Sequence, residues 1–275
     1  MTTDTPGTRI PAVLVHGWNS HPGIWNRLIP LLKEASIPFW TFDHTGMTGD
    51  TIPEIAMALG EFVGSMRDET GYTGKVDVVC HSVGTCIARY YLEVVDGSQK
   101  SAKVRQLIGL GPPNTGSALA ELFLDPHQGA EILNRLTGVF VPRGYDPSAD
   151  RIVHDVRTSS PVMQSLRTAG TRPDITYRVI VTGNPEERPD FFPTFDGRTW
   201  EQGPDGKYRT TFEGDGVVPH RESALPGISL DLILPDPEND TDLPSAGQYC
   251  HLFLPRNPAV MARILHYLTR SADSL

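Results

Sequence analysis

Val76-Asp77-Val78-Val79-Cys80-His81-Ser82-Val83-Gly84 is the stretch on which the fold turns. The run from Val76 to Cys80 is short, mostly apolar and rich in valine, as a buried strand requires. From Val83 to Val95, the residues Ile87, Tyr90, Tyr91 and Val94 recur at helical spacing. Between strand and helix sits a small-x-Ser-x-Gly turn. A serine hydroxyl is a weak nucleophile and needs a base and a carbonyl carbon beside it. A sharp strand-to-helix turn lifts Ser82 above the sheet, where loops can deliver both. The turn presses strand against helix, so small residues must flank it. Cys80 stands where the usual pattern has glycine, and it is small enough for the turn to survive. The plainer alternative is an ordinary βα turn with a serine capping a helix.

Working outward, the run from Arg9 to Val15 ends in His16-Gly17 and predicts a first strand. A helix is expected from about Gly23 to Ala35, a strand at Pro38–Phe42, and a helix at Thr51–Glu69 with Thr51 as cap and Pro53 in its first turn. Val104–Leu110 predicts a further strand after the serine-bearing unit. Strand and helix thus alternate, which implies parallel pairing. The alternation breaks after Pro112. Short helical pieces such as Leu119–Phe123 and Glu131–Leu136 lie among Pro and Gly. A block of that length is too long for a connection, so residues 113–172 are read as an inserted cap or lid. Ile175–Val181 and Ile228–Leu234 predict the last strands, and Pro258–Leu268 a closing helix. Residues 183–214 read as a long loop or short hairpin. The expectation is one α/β domain over residues 1–275.

Partners for Ser82 follow from chain order. Gly214-Asp215-Gly216-Val217-Val218-Pro219 sets an acid between glycines. Alone this is a turn dipeptide, but it lies between the serine and the last loop histidine. His251 lies after the last strand and just before the final helix, where a loop can reach back over the sheet. The order Ser82, Asp215, His251 makes a candidate nucleophile, orienting acid and general base. Gly17 lets the backbone turn the Trp18 N–H toward the nucleophile. With the Val83 N–H at the helix start, it makes a candidate oxyanion hole. His16 is read as holding that turn. His44, His81 and His220 are possible accessory residues. Leu119, Leu122, Phe123, Ile132 and Leu136 are candidates for an apolar acyl pocket, or for packing within the cap.

Composition narrows the class. The 275 residues carry a formal net charge of -9 and no basic run of the kind that binds nucleic acid. Three cysteines, Cys80, Cys86 and Cys250, imply no disulfide framework, although two could pair. No His/Cys/Asp cluster has metal-ligand spacing, and neither a GxxxxGK[ST] loop nor a GxGxxG fingerprint is present, so neither metal nor cofactor is expected. No apolar stretch approaches the ~20 residues of a membrane span. The first residues lack a basic patch followed by an apolar core, so a cytoplasmic location is expected, with secretion left open.

VLVHGW, VDVVCHSVG, LIGLGPPNTGS, EGDGVVP and CHLFLPRNPAV together resemble the bacterial triacylglycerol lipase and esterase branch of the α/β-hydrolase superfamily, from about Arg9 to Leu268. Gly111-Pro112 stands where Thr-Pro is usual in that branch. The resemblance implies the α/β-hydrolase fold: a mostly parallel central sheet flanked by helices, with an inserted cap or lid. It maps the acid onto Asp215, the base onto His251 and the oxyanion donors onto Trp18 and Val83. It also implies ester hydrolysis, with a small-molecule or lipid ester as the partner. An acyltransferase, thioesterase or amidase would use the same three residues. A non-catalytic binding protein on the same fold is the remaining alternative.

Overall fold

The computed structural model describes residues 9–234 and 245–269. Its strands are β1 (Ala12–Val15), β2 (Phe39–Phe42), β3 (Val76–His81), β4 (Val104–Leu110), β5 (Thr176–Thr182), β6 (Thr199–Gln202), β7 (Tyr208–Thr211) and β8 (Leu230–Ile233). Six of them pair in the order β2-β1-β3-β4-β5-β8, every pair parallel. Strands β1 and β3 are buried throughout. This is why their sequences read as apolar runs rather than as alternation. Strand β8 lies at an edge and leaves Leu232 exposed. Strands β6 and β7 form a separate antiparallel hairpin within residues 183–214.

The helices are α1 (Leu28–Glu34), α2 (Ile52–Thr70), α3 (Gly84–Arg89), α4 (Ala118–Phe123), α5 (Gly129–Leu136), α6 (Arg151–Asp155), α7 (Pro161–Ala169), α8 (His220–Ser223) and α9 (Pro258–Thr269). The best specified is α2. The Thr51 side chain accepts from the Glu54 N–H while Glu54 returns the bond, and Gly71 ends the helix at φ 67°. Ile52, Ile55, Ala56 and Leu59 form its buried face. Helix α1 packs with α9, and α2 packs with α3.

Two expected helices are interrupted. The one expected at Gly23–Ala35 splits into a 3₁₀ turn at Pro22–Trp25 and α1. Pro30 has no N–H to give to the residue 26 carbonyl, so one α-helix cannot run from Gly23 through it, and Pro30 falls instead in the first turn of α1, where no such bond is needed. The helix after Ser82 is α only to Arg89 and widens into a π turn at Tyr90–Val95. Tyr91 of that turn packs on Gly60 of α2, where an added Cβ would lie 2.3 Å from the ring.

Helices α4 to α7 lie between β4 and β5, in the stretch read from sequence as a cap. Ser117, Asp150 and Ser160 cap α4, α6 and α7 through hydrogen bonds to Ala120, Val153 and Met163 N–H groups.

The chain passes from β1 outward to β2, then returns beyond β1 to lay down β3. The order of strands reverses between β1 and β3, and the carboxyl ends of these two strands open the crevice where doubly wound sheets bind ligands. His16-Gly17-Trp18 leaves β1 there and Ser82 leaves β3.

Candidate active site

Ser82 has φ 53°, a left-handed conformation costly for any residue but glycine. Close packing on both sides holds it there. A Cβ on Gly84 would lie 2.4 Å from the His16 carbonyl oxygen, and one on Gly17 would lie 2.9 Å from the Ser82 Cβ. The second glycine of the motif is therefore a steric requirement. The first small position is occupied by Cys80, wholly buried within β3. The Ser82 N–H is tied to the Leu110 carbonyl at 2.9 Å, which anchors the turn to β4.

The structure brings Ser82, His251 and Asp215 together. His251 Nε2 lies 2.9 Å from Ser82 Oγ, and His251 Nδ1 lies 2.7 Å from Asp215 Oδ2. With a carboxylate on the Nδ1 side, that nitrogen carries the proton and Nε2 is left to accept from the serine. Asp215 is 1% exposed. Its Oδ1 accepts from the Val217 and Val218 N–H groups at 3.0 and 2.7 Å, which keeps Oδ2 for the histidine. The His251 N–H also donates to the Asp215 carbonyl at 2.8 Å, so backbone and ring are held by the same loop.

Trp18 and Val83 line a small apolar pocket together with Ser82. Val83 precedes the first turn of α3, so its N–H lies outside the helical ladder. Among the described residues, neither the Trp18 nor the Val83 N–H makes a hydrogen bond. The pocket holds about 60 Å³ and its walls include Leu119, Phe123, Phe140, Val153 and Val156. Leu119 and Phe123 are thus lining residues. Leu122, Ile132 and Leu136 are absent from that lining and buried elsewhere.

The accessory histidines have distinct places. His81 Nε2 donates to the His251 carbonyl at 3.0 Å, and the two rings sit 4.7 Å apart. Burial drives the His81 pKa well down, so the ring is neutral. His16 and His44 stack with centroids 3.7 Å apart and 9° between planes. The His44 N–H donates to His16 Nε2 at 3.3 Å and His44 Nε2 donates to the His16 carbonyl at 3.1 Å. Burial lowers both, His44 to about 4. The pair holds the segment leading to Trp18. His220 bonds the Thr182 carbonyl at 2.7 Å.

Sequence reasoning missed two contributors. Asp150 Oδ2 accepts from Trp18 Nε1 at 2.7 Å and from the Tyr145 hydroxyl at 3.0 Å. No local pattern could pair residues so far apart in sequence. Gly111, at φ 53°, is where an added Cβ would lie 2.4 Å from Asp215 Oδ2 and 3.0 Å from His251 Nδ1. The resemblance had marked Gly111 as a departure, and its crowding against Asp215 and His251 accounts for the absence of a side chain.

All three cysteines are buried and free. Burial raises their thiol pKa values, Cys86 and Cys250 to about 12, so none supplies a thiolate nucleophile. Among the described residues, no group of three or more His, Cys, Asp or Glu is placed to hold a metal ion. Nor is any helix there long and apolar enough to cross a membrane.

A parallel sheet with a serine on the turn after β3 and a histidine on a late loop defines a class. The sequence profile of the alpha/beta hydrolase family matches residues 12–264, and the chain belongs to that family. Among solved structures, the mature form of a Bacillus licheniformis lipase is similar at a TM-score of 0.68 and 18% identity, over 98% of this chain and 96% of that one. Lipase B of Aspergillus fumigatus gives 0.61 and 13%, over 96% of this chain and 53% of that one. A gene product of Listeria innocua gives 0.55 and 16%, over 97% and 96%. At such identities the likeness is one of fold.

Proposed function

We propose that this hydrolase-family protein cleaves carboxylic esters through an acyl-enzyme on Ser82, with His251 as general base, Asp215 as orienting acid, and Trp18 and Val83 as oxyanion donors. The observation that carries the reading is the unbroken hydrogen-bonded chain from Asp215 through His251 to Ser82. As Oγ attacks the ester carbonyl, its proton passes to His251 Nε2. The carbonyl oxygen becomes an oxyanion between the Trp18 and Val83 N–H groups, each such donor worth ~10²–10³ in rate. His251 then protonates the leaving alkoxide and the acyl group remains on Ser82. Water, deprotonated by His251, attacks the acyl carbon and releases the carboxylic acid. Residues 113–172 act as the cap that closes the apolar pocket over the acyl chain.

The small pocket beside Ser82 favours short acyl chains. The test is a series of p-nitrophenyl esters of increasing acyl length, run with a fluorophosphonate probe that labels activated serines. The expected result is labelling at Ser82 and turnover that falls as the chain lengthens. Folded protein that neither labels nor turns over any ester defeats the reading and favours a binding protein. Labelling with turnover of thioesters or amides alone moves the reaction to those bonds.

A further inference from the structure

The apolar pocket beside Ser82 shares a wall with a much larger space. The pocket holds about 60 Å³ and the neighbouring cavity about 560 Å³. Trp18 and Ile152 line both, and among the described residues no other residue does. One carboxylate fixes the two halves of this wall. Asp150 Oδ2 accepts from the Trp18 indole N–H at 2.7 Å. Asp150 Oδ1 accepts from the Val153 N–H at 3.1 Å, which sets the first turn of α6 and with it Ile152. The far end of α6 is held as well, since Asp155 Oδ2 accepts from the Ile52 N–H of α2 at 2.7 Å. Val153 and Val156 are buried and line the apolar pocket but not the larger cavity. Ile152 between them in the lining is only half-buried and serves both spaces. The larger cavity also has apolar surface, from Met47, Pro142 and Tyr145.

We infer that Ile152 sets the upper limit of acyl length, by closing the apolar pocket against the larger cavity. The inference rests on the ester-cleaving reading above, which seats the acyl chain in the pocket that Ser82 lines. A space of about 60 Å³ is the liquid volume of about two water molecules, so a chain of a few carbons fills it. A longer chain must displace the wall or leave its outer carbons in water. The Trp18 half does not give, because its indole is hydrogen-bonded to Asp150 and packed by Phe123 and Phe140. The Ile152 half is a β-branched side chain with few rotamers, on a helix pinned at both ends. Each methylene denied burial costs about fourfold in kcat/KM. Truncating Ile152 removes the partition and lets further methylenes leave water.

The test reads the ratio of kcat/KM for p-nitrophenyl octanoate to that for p-nitrophenyl butyrate. Ile152→Ala is expected to raise this ratio roughly 15-fold, the effect of about two newly buried methylenes. Val156→Ala widens the same pocket without opening it to the larger cavity, and is expected to raise the ratio about fourfold at most. A ratio unchanged in Ile152→Ala, or raised equally by Val156→Ala, overturns the inference and leaves ester cleavage standing. If Ile152→Ala melts too low to assay, Ile152→Val replaces it; a rise of about fourfold supports the wall and no rise overturns it. If folded wild-type protein cleaves neither ester, the ester reading fails and the wall is judged alone, by calorimetric titration with 1-octanol. Binding roughly tenfold tighter in Ile152→Ala than in wild type supports the partition, and equal affinity overturns it.

Discussion

At the scale of single residues, the site depends on atoms in positions that the backbone resists. Ser82 holds a left-handed φ because Gly84 and Gly17 let β1 and α3 close around it. Ser82→Ala is expected to lower ester turnover by on the order of 10⁴–10⁶ while the thermal midpoint stays near wild type. Asp215→Asn is expected to cost as much or less, by disturbing the tautomer that leaves Nε2 free. Turnover near wild type in Asp215→Asn would show that the orienting acid lies elsewhere. Gly111→Ala tests the packing behind the pair. Its Cβ would intrude on both Asp215 and His251 from a backbone that already disfavours a side chain. A displacement of that kind is expected to cost about 10² in kcat. An alanine variant with wild-type kcat would mean that the loop relaxes around it.

At the scale of elements, the proposed oxyanion segment is held from two sides. On the side of the α4–α7 segment, the carboxylate starting α6 grips the Trp18 indole, and Phe123, Phe140 and Tyr145 surround that ring. Asp150→Asn keeps an oxygen to cap α6 but sets an amide donor against the indole N–H. The expected outcome is a fall in kcat of about tenfold or more, short of the ~10²–10³ that loss of a whole oxyanion donor brings. A change confined to KM would mean that Asp150 does not hold Trp18. On the sheet side, the stacked His16 and His44 tie the ends of β1 and β2. Both rings titrate lower when folded than the ordinary histidine range, because burial disfavours the cation. Below about 6.5 the unfolded chain takes up protons that the folded chain refuses, so the unfolded state gains. This contribution to stability is therefore present above pH ~6.5 and is lost as pH falls toward about 4. Urea unfolding across that range should show the decline, and His44→Asn should flatten it. An unchanged slope in the variant would remove His44 from the explanation.

Across the whole molecule, the loop carrying Asp215 is locked to the start of the proposed cap by one buried carboxyl. Glu222 Oε1 accepts from the Ala118 N–H at 3.0 Å, the Thr115 N–H donates to the Glu222 carbonyl, and among the described residues Glu222 Oε2 has no partner. Burial raises its pKa well above the ordinary value, so the folded protein holds a proton that the unfolded chain releases. Stability from this group is full below about pH 4.5 and declines as pH rises from there toward the folded pKa. Glu222→Gln, neutral at every pH, is expected to match wild type near pH 4 and to melt higher at pH 8. Thermal scans at both values check this. A variant that loses stability equally at both would place the effect in hydrogen bonding rather than in ionisation.

The sequence by itself determined the local order: strand then helix, a serine on the sharp turn after β3, and the succession Ser82, Asp215, His251. These were legible because hydrophobic period and turn chemistry are properties of neighbouring residues, as the capping of α2 by Thr51 and Glu54 illustrates. The break ahead of Pro30 was also present in the sequence, since a proline lacks the N–H that a helix interior needs and is tolerated only in a first turn. What only the tertiary structure decided is which distant groups meet. Asp150 reaches Trp18, Glu222 reaches Ala118, and His44 lies flat on His16. Each of these contacts spans dozens of residues and leaves no periodic trace. Only the packing of β1, β3 and the α4–α7 segment around one crevice brings them into reach.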